Sequence, residues 1–484
     1  MDSSKLSVVE ELCYASIKAG VKRLCEIGTW PRPPKARWLR VGHDFYREQM
    51  EGIAELDDLI NYLGSDAEIK SNYFMKGDEP KGWLLYDFWE LLLLRILPET
   101  GGSAPGRGVF HKWFNKFVKE LYAPMATWRT IQSIKGLKLN VKRLRFDEAT
   151  VLISCPAYSL PACIWGPQQF LAEGHFQPEH WGATGADNAV LLITVQLPKS
   201  EYVGFDQPPL HLTKEFQRSL AVMDAIRLVT SGAPYLHCYA NVHLSRFPLA
   251  EPLAYTHRDN AQMAYETEAQ LGKAHLSRVR RIWSELMLTR YADPWPSFSK
   301  PRQLDVALSE FYRSYELQSW LDKVVDLTIA LESLFGPRDD KELSHRISLR
   351  AAWLLSPMMR GSAGASENRI YKCVRTMYEI RSRRVHGDIP RDSEIHRWIQ
   401  VLSGSEYDRH DRSAKERLLE QVVESARSIV RDAICACMEL QKSAQAGGPC
   451  WPLPSDFDQK ILLPHQRKVW QTTARIKTTQ LRKH

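Results

Sequence analysis

Apolar and polar residues recur at two different spacings along the chain, and the change of spacing predicts where the secondary structure changes. Four stretches near the start repeat apolar residues at helical spacing and predict α-helices at 8–27, 45–63, 83–97 and 109–134. Short alternating or β-branched runs then predict strands at 137–146, 151–155, 189–197 and 235–247. A helix is predicted at 213–230 and a longer one at 260–291. The first 300 or so residues therefore read as α+β structure.

A stretch rich in proline and serine, 292–302, cannot continue a helix and predicts a domain boundary. Every pattern beyond it is helical, with helices predicted at 304–316, 321–335, 342–355, 367–384, 392–402 and 414–440. We therefore predict an α+β protein with an all-α bundle in its C-terminal part. Its four segments are a helical N-terminal segment at 1–135, an α+β recognition region at 136–300, the bundle at 303–443 and a basic tail at 444–484.

Composition and charge narrow the class of protein. The chain has 44% hydrophobic and 25% charged residues, which excludes disordered and fibrous classes. The net charge of +8 is uneven, because 459–484 holds seven basic residues and no acidic one, whereas the rest has 58 Lys and Arg against 57 Asp and Glu. A histone-like coat of positive charge is thereby excluded. For the tail two interpretations stay open: contact with an RNA backbone, including stacking on Trp470, or a flexible solubilising end.

No targeting or redox signal stands out in the sequence. The start of the chain lacks the basic residues and the uninterrupted apolar stretch of a signal peptide. The most apolar run contains Asp87, Glu90 and Arg95, so it is not expected to span a membrane. The nine cysteines are an odd number without zinc-ribbon spacing, which is typical of reduced thiols. We expect a cytoplasmic protein with no membrane partner, no metal and no cofactor.

One predicted bundle helix ends with an arginine and a histidine five positions apart, Arg381 and His386. The same spacing occurs at Arg391 and His396, so spacing alone does not choose between the two pairs. Context favours the first pair, because it closes an amphipathic helix just before Gly387, a typical left-handed helix cap. The helix dipole also favours basic residues in a last turn, which is a purely structural explanation for them.

Three blocks of the predicted bundle resemble the Apea-like branch of the HEPN superfamily. They are LTIALESLF at 327–335, ELSHRISLRAAWLL at 342–355 and YEIRSRRVHG at 378–387, in the expected order and at suitable separations. The resemblance covers roughly 304–440. It implies a HEPN helical bundle that cleaves RNA without a metal ion where two copies meet in a homodimer.

By position, the resemblance implies that Arg381 and His386 are the catalytic pair. Ser382 matches the polar residue that commonly follows the motif arginine, and Arg383 and Arg384 are expected to support the site or bind RNA. The implied reaction is attack of the 2′-OH on the adjacent phosphate, which leaves 2′,3′-cyclic phosphate and 5′-hydroxyl ends.

Three further charged residues lie on the preceding bundle helices. Glu332 interrupts an otherwise apolar face, and Arg346 and Arg350 are one turn apart on the next helix. We predict a buried Glu–Arg pair that braces the bundle, in preference to a direct part in catalysis.

Weaker signals occur before the bundle. His237 and His243 share one face of a predicted strand, and His175 and His180 flank a proline, but neither pair has an identifiable third metal ligand. The alternating basic residues of 137–146 and the arginines at 278, 280 and 281 have two interpretations, phosphate binding and a solvated face.

The resemblance implies a two-part protein of prokaryotic anti-phage defence. In this hypothesis the N-terminal region senses a phage-derived trigger, and the HEPN bundle cleaves tRNA or another host RNA so that phage growth stops by abortive infection. The alternative is a non-catalytic HEPN module for dimerisation and nucleotide binding, with the binding function in the N-terminal region.

Overall fold

The computed structural model describes residues 3–27, 50–73, 82–101, 103–155, 188–199, 214–243, 253–256, 268–291, 302–336, 342–357, 366–406, 412–445 and 448–475. The chain forms two compact units, the first from 1–134, 143–216 and 236–258, and the second from 135–142, 217–235 and 259–484. This division differs from the four predicted segments, because the chain enters the second unit twice before residue 259. Two long-range contacts contribute to this interleaving, the strand pairing of Leu137–Leu139 with Ala269–Leu271 and the hydrogen bond from the Arg431 guanidinium to the Arg227 carbonyl, and local composition does not reveal them.

Eight strands form the sheets in the described part of the chain: β1 (Met125–Lys135), β2 (Leu137–Leu139), β3 (Arg143–Arg145), β4 (Thr150–Cys155), β5 (Asn188–Pro198), β6 (Tyr235–His243), β7 (Leu253–Thr256) and β8 (Ala269–Leu271). Six of them form one sheet in the order β3-β4-β5-β1-β6-β7. The pairs β3–β4, β4–β5, β5–β1 and β6–β7 are antiparallel. The strands predicted at 151–155, 189–197 and 235–247 correspond to β4, β5 and β6, and the predicted mixed α+β class is confirmed.

The helices of the first unit are α1 (Ser3–Ile27), α2 (Ala54–Ser65), α3 (Ala67–Tyr73), α4 (Gly82–Thr100) and α5 (Arg107–Tyr122). Their apolar faces build a shared core. Within it the Trp89 indole donates to the Ser16 hydroxyl at 3.0 Å. A Cβ on Gly20 would lie 2.9 Å from the Trp89 ring, so glycine is what lets α1 approach α4 this closely.

The central strand β1 occupies residues that the sequence pattern assigned to a helix at 109–134, and that prediction was wrong. Helix α5 ends at Tyr122, and Pro124 has no amide hydrogen with which to continue it. Residues 130–134 of β1 are all buried, as expected for a strand covered on both faces. Such a run has no period of two and resembles a buried helix in sequence.

The strand predicted at 137–146 is two strands in two different sheets. Strand β2 pairs in parallel with β8, whereas β3 pairs antiparallel with β4. Gly136 precedes β2 with φ +69° and lies where a Cβ would be 2.9 Å from the Ala233 carbonyl oxygen, so the turn requires glycine. The long helix predicted at 260–291 is also corrected, because β8 ends at Leu271 and the helix begins only at Leu276.

The helices of the second unit are α6 (Lys214–Arg227, in this unit from Gln217), α7 (Leu276–Thr289), α8 (Gln303–Arg313), α9 (Trp320–Phe335), α10 (Leu343–Leu355), α11 (Glu367–His386), α12 (Asp392–Ser403), α13 (Arg412–Gln445), α14 (Phe457–Leu462) and α15 (Pro464–Ala474). The six helices predicted after residue 302 correspond to α8–α13. Between 302 and 475 the described residues contain no strand. No described helix has the length and apolarity that crossing a membrane requires.

The predicted basic tail packs against this helical region as α14 and α15. Trp470 is only 6% exposed and meets Phe457 edge to face, with ring centroids 4.8 Å apart. The Gln471 amide donates to the Trp353 carbonyl at 2.6 Å, and the Trp451 indole donates to the Leu334 carbonyl at 3.0 Å. Trp470 is therefore a core residue and is not available to stack on RNA. Residues 448–475 are folded against the helices, so they are not a flexible end. Residues 476–484 lie outside the described residues.

Candidate active site

The candidate site lies at the C-terminal end of α11, where the backbone is fixed by a complete helix cap. Gly387 adopts the left-handed conformation, with φ +75°. Its amide donates to the Arg384 carbonyl at 3.2 Å, and the Asp388 amide donates to the Arg383 carbonyl at 3.0 Å. These two bonds are those of a Schellman motif, so His386 is held as the last helical residue.

Within the described part of the chain, Arg381 makes one side-chain hydrogen bond. Its Nη2 donates to Glu332 Oε2 on α9 at 3.2 Å, with side-chain exposures of 29% and 17% respectively. Glu332 Oε1 and Arg381 Nε are buried and have no hydrogen-bond partner in the described ranges. The guanidinium also lies over the Tyr378 ring, 5.6 Å from its centroid. Burial raises the pKa of Glu332, and the nearby charge of Arg381 only partly offsets the shift.

A buried hydroxyl positions α9 next to α11. Thr328 Oγ1 donates to the Met377 carbonyl at 3.3 Å and to its own helix, at the Val324 carbonyl, at 2.7 Å. Thr328 and Met377 each lie one helical turn before Glu332 and Arg381. The contact therefore sets the register of the two helices beside the Glu332–Arg381 pair.

The two arginines that follow Ser382 are engaged in ion pairs. Arg383 Nη2 lies 2.5 Å from Glu394 Oε1 on α12. Arg384 contacts Asp322 on α9 through two hydrogen bonds, at 2.7 and 3.2 Å. These contacts tie the end of α11 to two neighbouring helices, which favours the supporting role over the RNA-binding role predicted for them.

His386 is exposed, and none of the described residues hydrogen-bonds to its imidazole. Ser382 lies one turn earlier on the same face and is half-buried. Val385 and Ile389, on either side of His386, are 61% and 90% exposed. The end of α11 thus presents a histidine flanked by two apolar side chains to solvent.

The helix does not bring Arg381 and His386 to the same point. Residues five apart on an α-helix differ by about 140° around the axis and by about 7.5 Å along it. Arg381 contacts Glu332 and Tyr378, and His386 has no contact with Arg381 or Glu332 among the described residues. Within one chain the two candidate residues therefore do not meet.

The competing pair has a different setting. Arg391 precedes α12, and its backbone amide donates to Glu394 at 3.0 Å. His396 lies half-buried inside α12. A positive charge at the start of a helix opposes the helix dipole, so the structural context favours Arg381 and His386, at a helix end.

The predicted brace uses a different acid. Arg346 and Arg350 do not pair with Glu332 but with Asp458 on α14. Asp458 accepts from Arg350 Nε at 2.6 Å, from Arg350 Nη2 at 2.8 Å and from Arg346 Nε at 3.0 Å. Arg350 Nη1 donates to the Phe335 carbonyl at 2.7 Å. The brace is thus formed by a segment that the sequence pattern placed outside the bundle.

The weaker candidates do not come together with this site. Arg278 contacts Cys435 Sγ at 3.8 Å, and Arg281 pairs with Glu439 at 2.9 Å, so both arginines face α13. The side chains of His237, Cys238 and His243 lie outside the described residues, as do His175 and His180. Within the described ranges no group of three or more His, Cys, Asp or Glu residues lies together as a metal site would.

Four residues of the site were not identified from sequence: Tyr378, Asp322, Glu394 and Asp458. For Asp458 a signal was present, since it is an acid beside apolar residues at helical spacing, Phe457 and Ile461. Asp322 and Glu394 occupy the first turns of α9 and α12, where acids are common whether or not they have a partner. Tyr378 lies three residues before Arg381 on the same helix, so the spacing was a signal for their contact, which the structure shows.

Comparison of the chain with protein-family models, with curated proteins and with solved structures finds no match.

Proposed function

We propose that the protein is a HEPN-type endoribonuclease in which Arg381 and His386 act on RNA within a homodimer. The observation that carries the proposal is the loosely held guanidinium of Arg381 at the rigid, exposed end of α11. Among the described residues Arg381 donates to one side chain and its Nε has no hydrogen-bond acceptor, so donors of the guanidinium are available for a phosphate. The resemblance to Apea-like HEPN domains supplies the reaction.

The side chains suit that reaction. An imidazole exchanges protons near neutral pH, so one His386 would take the proton of the 2′-OH as that oxygen attacks the adjacent phosphorus. The bond from phosphorus to the 5′-oxygen then breaks, and the leaving oxygen takes a proton from a second imidazole. Arg381 would stabilise the charge that develops on the phosphate oxygens. Glu332 would hold Arg381 in place through its one hydrogen bond.

A dimer would supply the second imidazole. Because Arg381 and His386 lie on different sides of α11, a two-fold axis near the helix end would bring two pairs around one phosphate. The exposed Val385 and Ile389 support this arrangement, because a second copy would cover them. In this proposal the first unit, which contains the six-stranded sheet, keeps the nuclease inactive until a phage-derived trigger arrives.

The first test is cleavage of total RNA or tRNA in the presence of EDTA. We expect the wild type to cut and Arg381→Ala and His386→Ala to lose activity by about 10²-fold or more. Arg391→Ala and His396→Ala are the matched controls, since they remove the second pair of the same spacing, and should retain cleavage. End analysis should show 2′,3′-cyclic phosphates.

Several outcomes would reject the nuclease hypothesis in this form. They are a wild type that cuts nothing, Arg381 and His386 variants that cut equally well, and loss of activity only in His396→Ala. A dimer without cleavage would support the alternative, a non-catalytic dimerisation and nucleotide-binding module.

The second test concerns the dimer. Ile389→Glu places a charge on the exposed surface beside His386 and is expected to yield a monomer in analytical ultracentrifugation, with cleavage lost. Leu288→Glu, at an exposed leucine on α7, is the matched control and should leave both mass and cleavage unchanged. A dimeric Ile389→Glu protein would remove this surface from the proposal.

A further inference from the structure

One face of α11 carries a line of side chains that leads to His386. Tyr371, Arg375, Tyr378, Ser382 and His386 follow one another at steps of three or four residues, so they share one face of the helix. The line is about 22 Å long at about 1.5 Å per residue. Aromatic and basic side chains therefore alternate along a surface that ends at the candidate catalytic histidine.

The first part of this line is a small hydrogen-bonded network, and none of its described members is a carboxylate. The Tyr371 hydroxyl shares a hydrogen bond with His345 Nδ1 on α10 at 2.9 Å and accepts from Arg375 Nη1 at 3.4 Å. The rings of His345 and Tyr371 meet edge to face, with centroids 5.9 Å apart. His345 and Arg375 are exposed, and Tyr371 is half-buried.

Arg375 differs from the arginines at the end of the same helix. Arg381, Arg383 and Arg384 each pair with a carboxylate, whereas among the described residues Arg375 contacts only the neutral phenol of Tyr371. Helix α11 also contains six Lys and Arg residues against two Glu. The positive charge of Arg375 is therefore uncompensated and points to an anionic ligand.

The aromatic rings of Tyr371 and Tyr378 indicate which class of anionic ligand would bind beside Arg375. A basic groove with interleaved aromatic rings is how proteins bind single-stranded nucleic acid, because phosphates pair with the cations and unpaired bases stack on the rings. In duplex RNA the bases are stacked on each other and cannot reach such rings.

We propose that Tyr371, Arg375 and Tyr378, with His345 beside them, form a binding track for an unpaired segment of RNA that leads to His386. The inference rests on the proposed function for the identity of the ligand and adds the substrate class, single-stranded or loop RNA. The track positions substrate, and its residues take no part in the chemical step.

The experiment measures binding of a fluorescently labelled single-stranded RNA to the full chain carrying His386→Ala, so that the RNA stays intact. In that background Arg375→Ala is expected to weaken binding about tenfold and to lower the dependence of log K on log salt by about one. Lys372→Ala is the matched control, because it removes the same charge from an exposed position that lies about 60° around the helix from Arg375 and outside the line. It should change the affinity less than about twofold.

A second pair of variants tests stacking. Tyr371→Ala should weaken binding of single-stranded RNA about tenfold, and Tyr371→Phe, which keeps the ring, should restore most of the loss. A blunt RNA duplex of equal length should be bound with similar affinity by all variants. Thermal denaturation identifies any variant that fails to fold. If Arg375→Ala does not fold, the two Tyr371 variants still test the track, and if Tyr371→Ala does not fold, Arg375→Ala and Lys372→Ala still test it.

The outcomes separate this inference from the proposed nuclease. If the wild type cleaves but Arg375→Ala and Lys372→Ala bind RNA equally, the track is wrong and the nuclease stands. If the wild type cuts nothing but single-stranded binding depends on Arg375 and Tyr371, the track stands without the nuclease. A wild type that neither binds nor cuts RNA overturns both.

Discussion

The second unit contains two carboxylate–arginine contacts of opposite character. Asp458 accepts three hydrogen bonds, and the side chain of its partner Arg350, only 4% exposed, has a further bond to a backbone carbonyl. Glu332 accepts one bond of 3.2 Å from Arg381 and leaves buried polar atoms of both residues unsatisfied. Buried polar groups are normally paired, so the first contact is a structural brace, whereas the second is incompletely satisfied among the described residues.

The pKa values of the two acids shift in opposite directions. Burial alone would raise the pKa of Asp458, but the bonds from Arg350 and Arg346 bring it below its usual range. Burial raises the pKa of Glu332, and Arg381 does not reverse the shift. The number and quality of hydrogen bonds, more than the presence of an arginine, decides which acid stabilises the fold.

The largest predicted effect removes the brace together with its helices. Deleting 457–484 removes Asp458 and takes Phe457, Ile461 and Trp470 out of the core, and we expect a loss of about 5 kcal/mol or more in the free energy of unfolding. Deleting only 476–484, which removes three basic residues, should leave the melting temperature unchanged. Equal melting temperatures for both truncations would mean that α14 and α15 contribute nothing to the helical unit.

The second-largest effect on stability is expected when only the carboxylate of the Asp458 brace is removed. Asp458→Ala leaves the buried Arg350 without a counter-charge and should cost about 3–5 kcal/mol in urea unfolding. Asp456→Ala is the control, because its pair with Lys460 is an exposed contact of 2.9 Å between residues four apart. Such pairs contribute about 0.5 kcal/mol or less. A small effect of Asp458→Ala would mean that the Asp458 contact stabilises the fold no more than the Glu332 contact does.

The smallest effect on stability is expected at Glu332. Glu332→Gln should change the free energy of unfolding by about 1 kcal/mol or less, in either direction, because a weakly satisfied buried carboxylate contributes little net stability. The same variant should reduce RNA cleavage, since Arg381 loses its positioning contact. If Glu332→Gln destabilises the protein as strongly as Asp458→Ala, Glu332 is a brace as well.

The pH dependence of unfolding sharpens the same contrast. The folded protein binds the Glu332 proton more tightly than the unfolded chain does, so this carboxyl lowers stability as the pH rises from 4.5 through its raised pKa. Asp458 acts in the opposite sense, and its contribution is lost as the pH falls below 3.8 through its lowered pKa. Urea unfolding at a series of pH values should show the first slope disappear in Glu332→Gln and the second in Asp458→Asn.

The sequence pattern predicted the helices of the second unit better than the strands of the first. Helix α11 is bounded by an N-cap serine, Ser366, and a left-handed glycine, Gly387, which are local signals. Strand β1 was missed because its inner residues 130–134 are all buried although they mix apolar with polar side chains, so the sequence shows no regular alternation of apolar and polar positions. The separation of β2 from β3 depends on β8, which lies more than 120 residues later.

The candidate site divides in the same way. By itself the sequence determined the mixed α+β class, the helix that ends at His386 and the two candidate residues on it, because caps and periodicity act within a few residues. The carboxylate partners of three arginines were decided by the tertiary structure alone: Glu332 for Arg381, and Asp458 for Arg346 and Arg350. Those pairings depend on which helices lie side by side, and side-chain contacts across helices leave no periodic trace in one sequence.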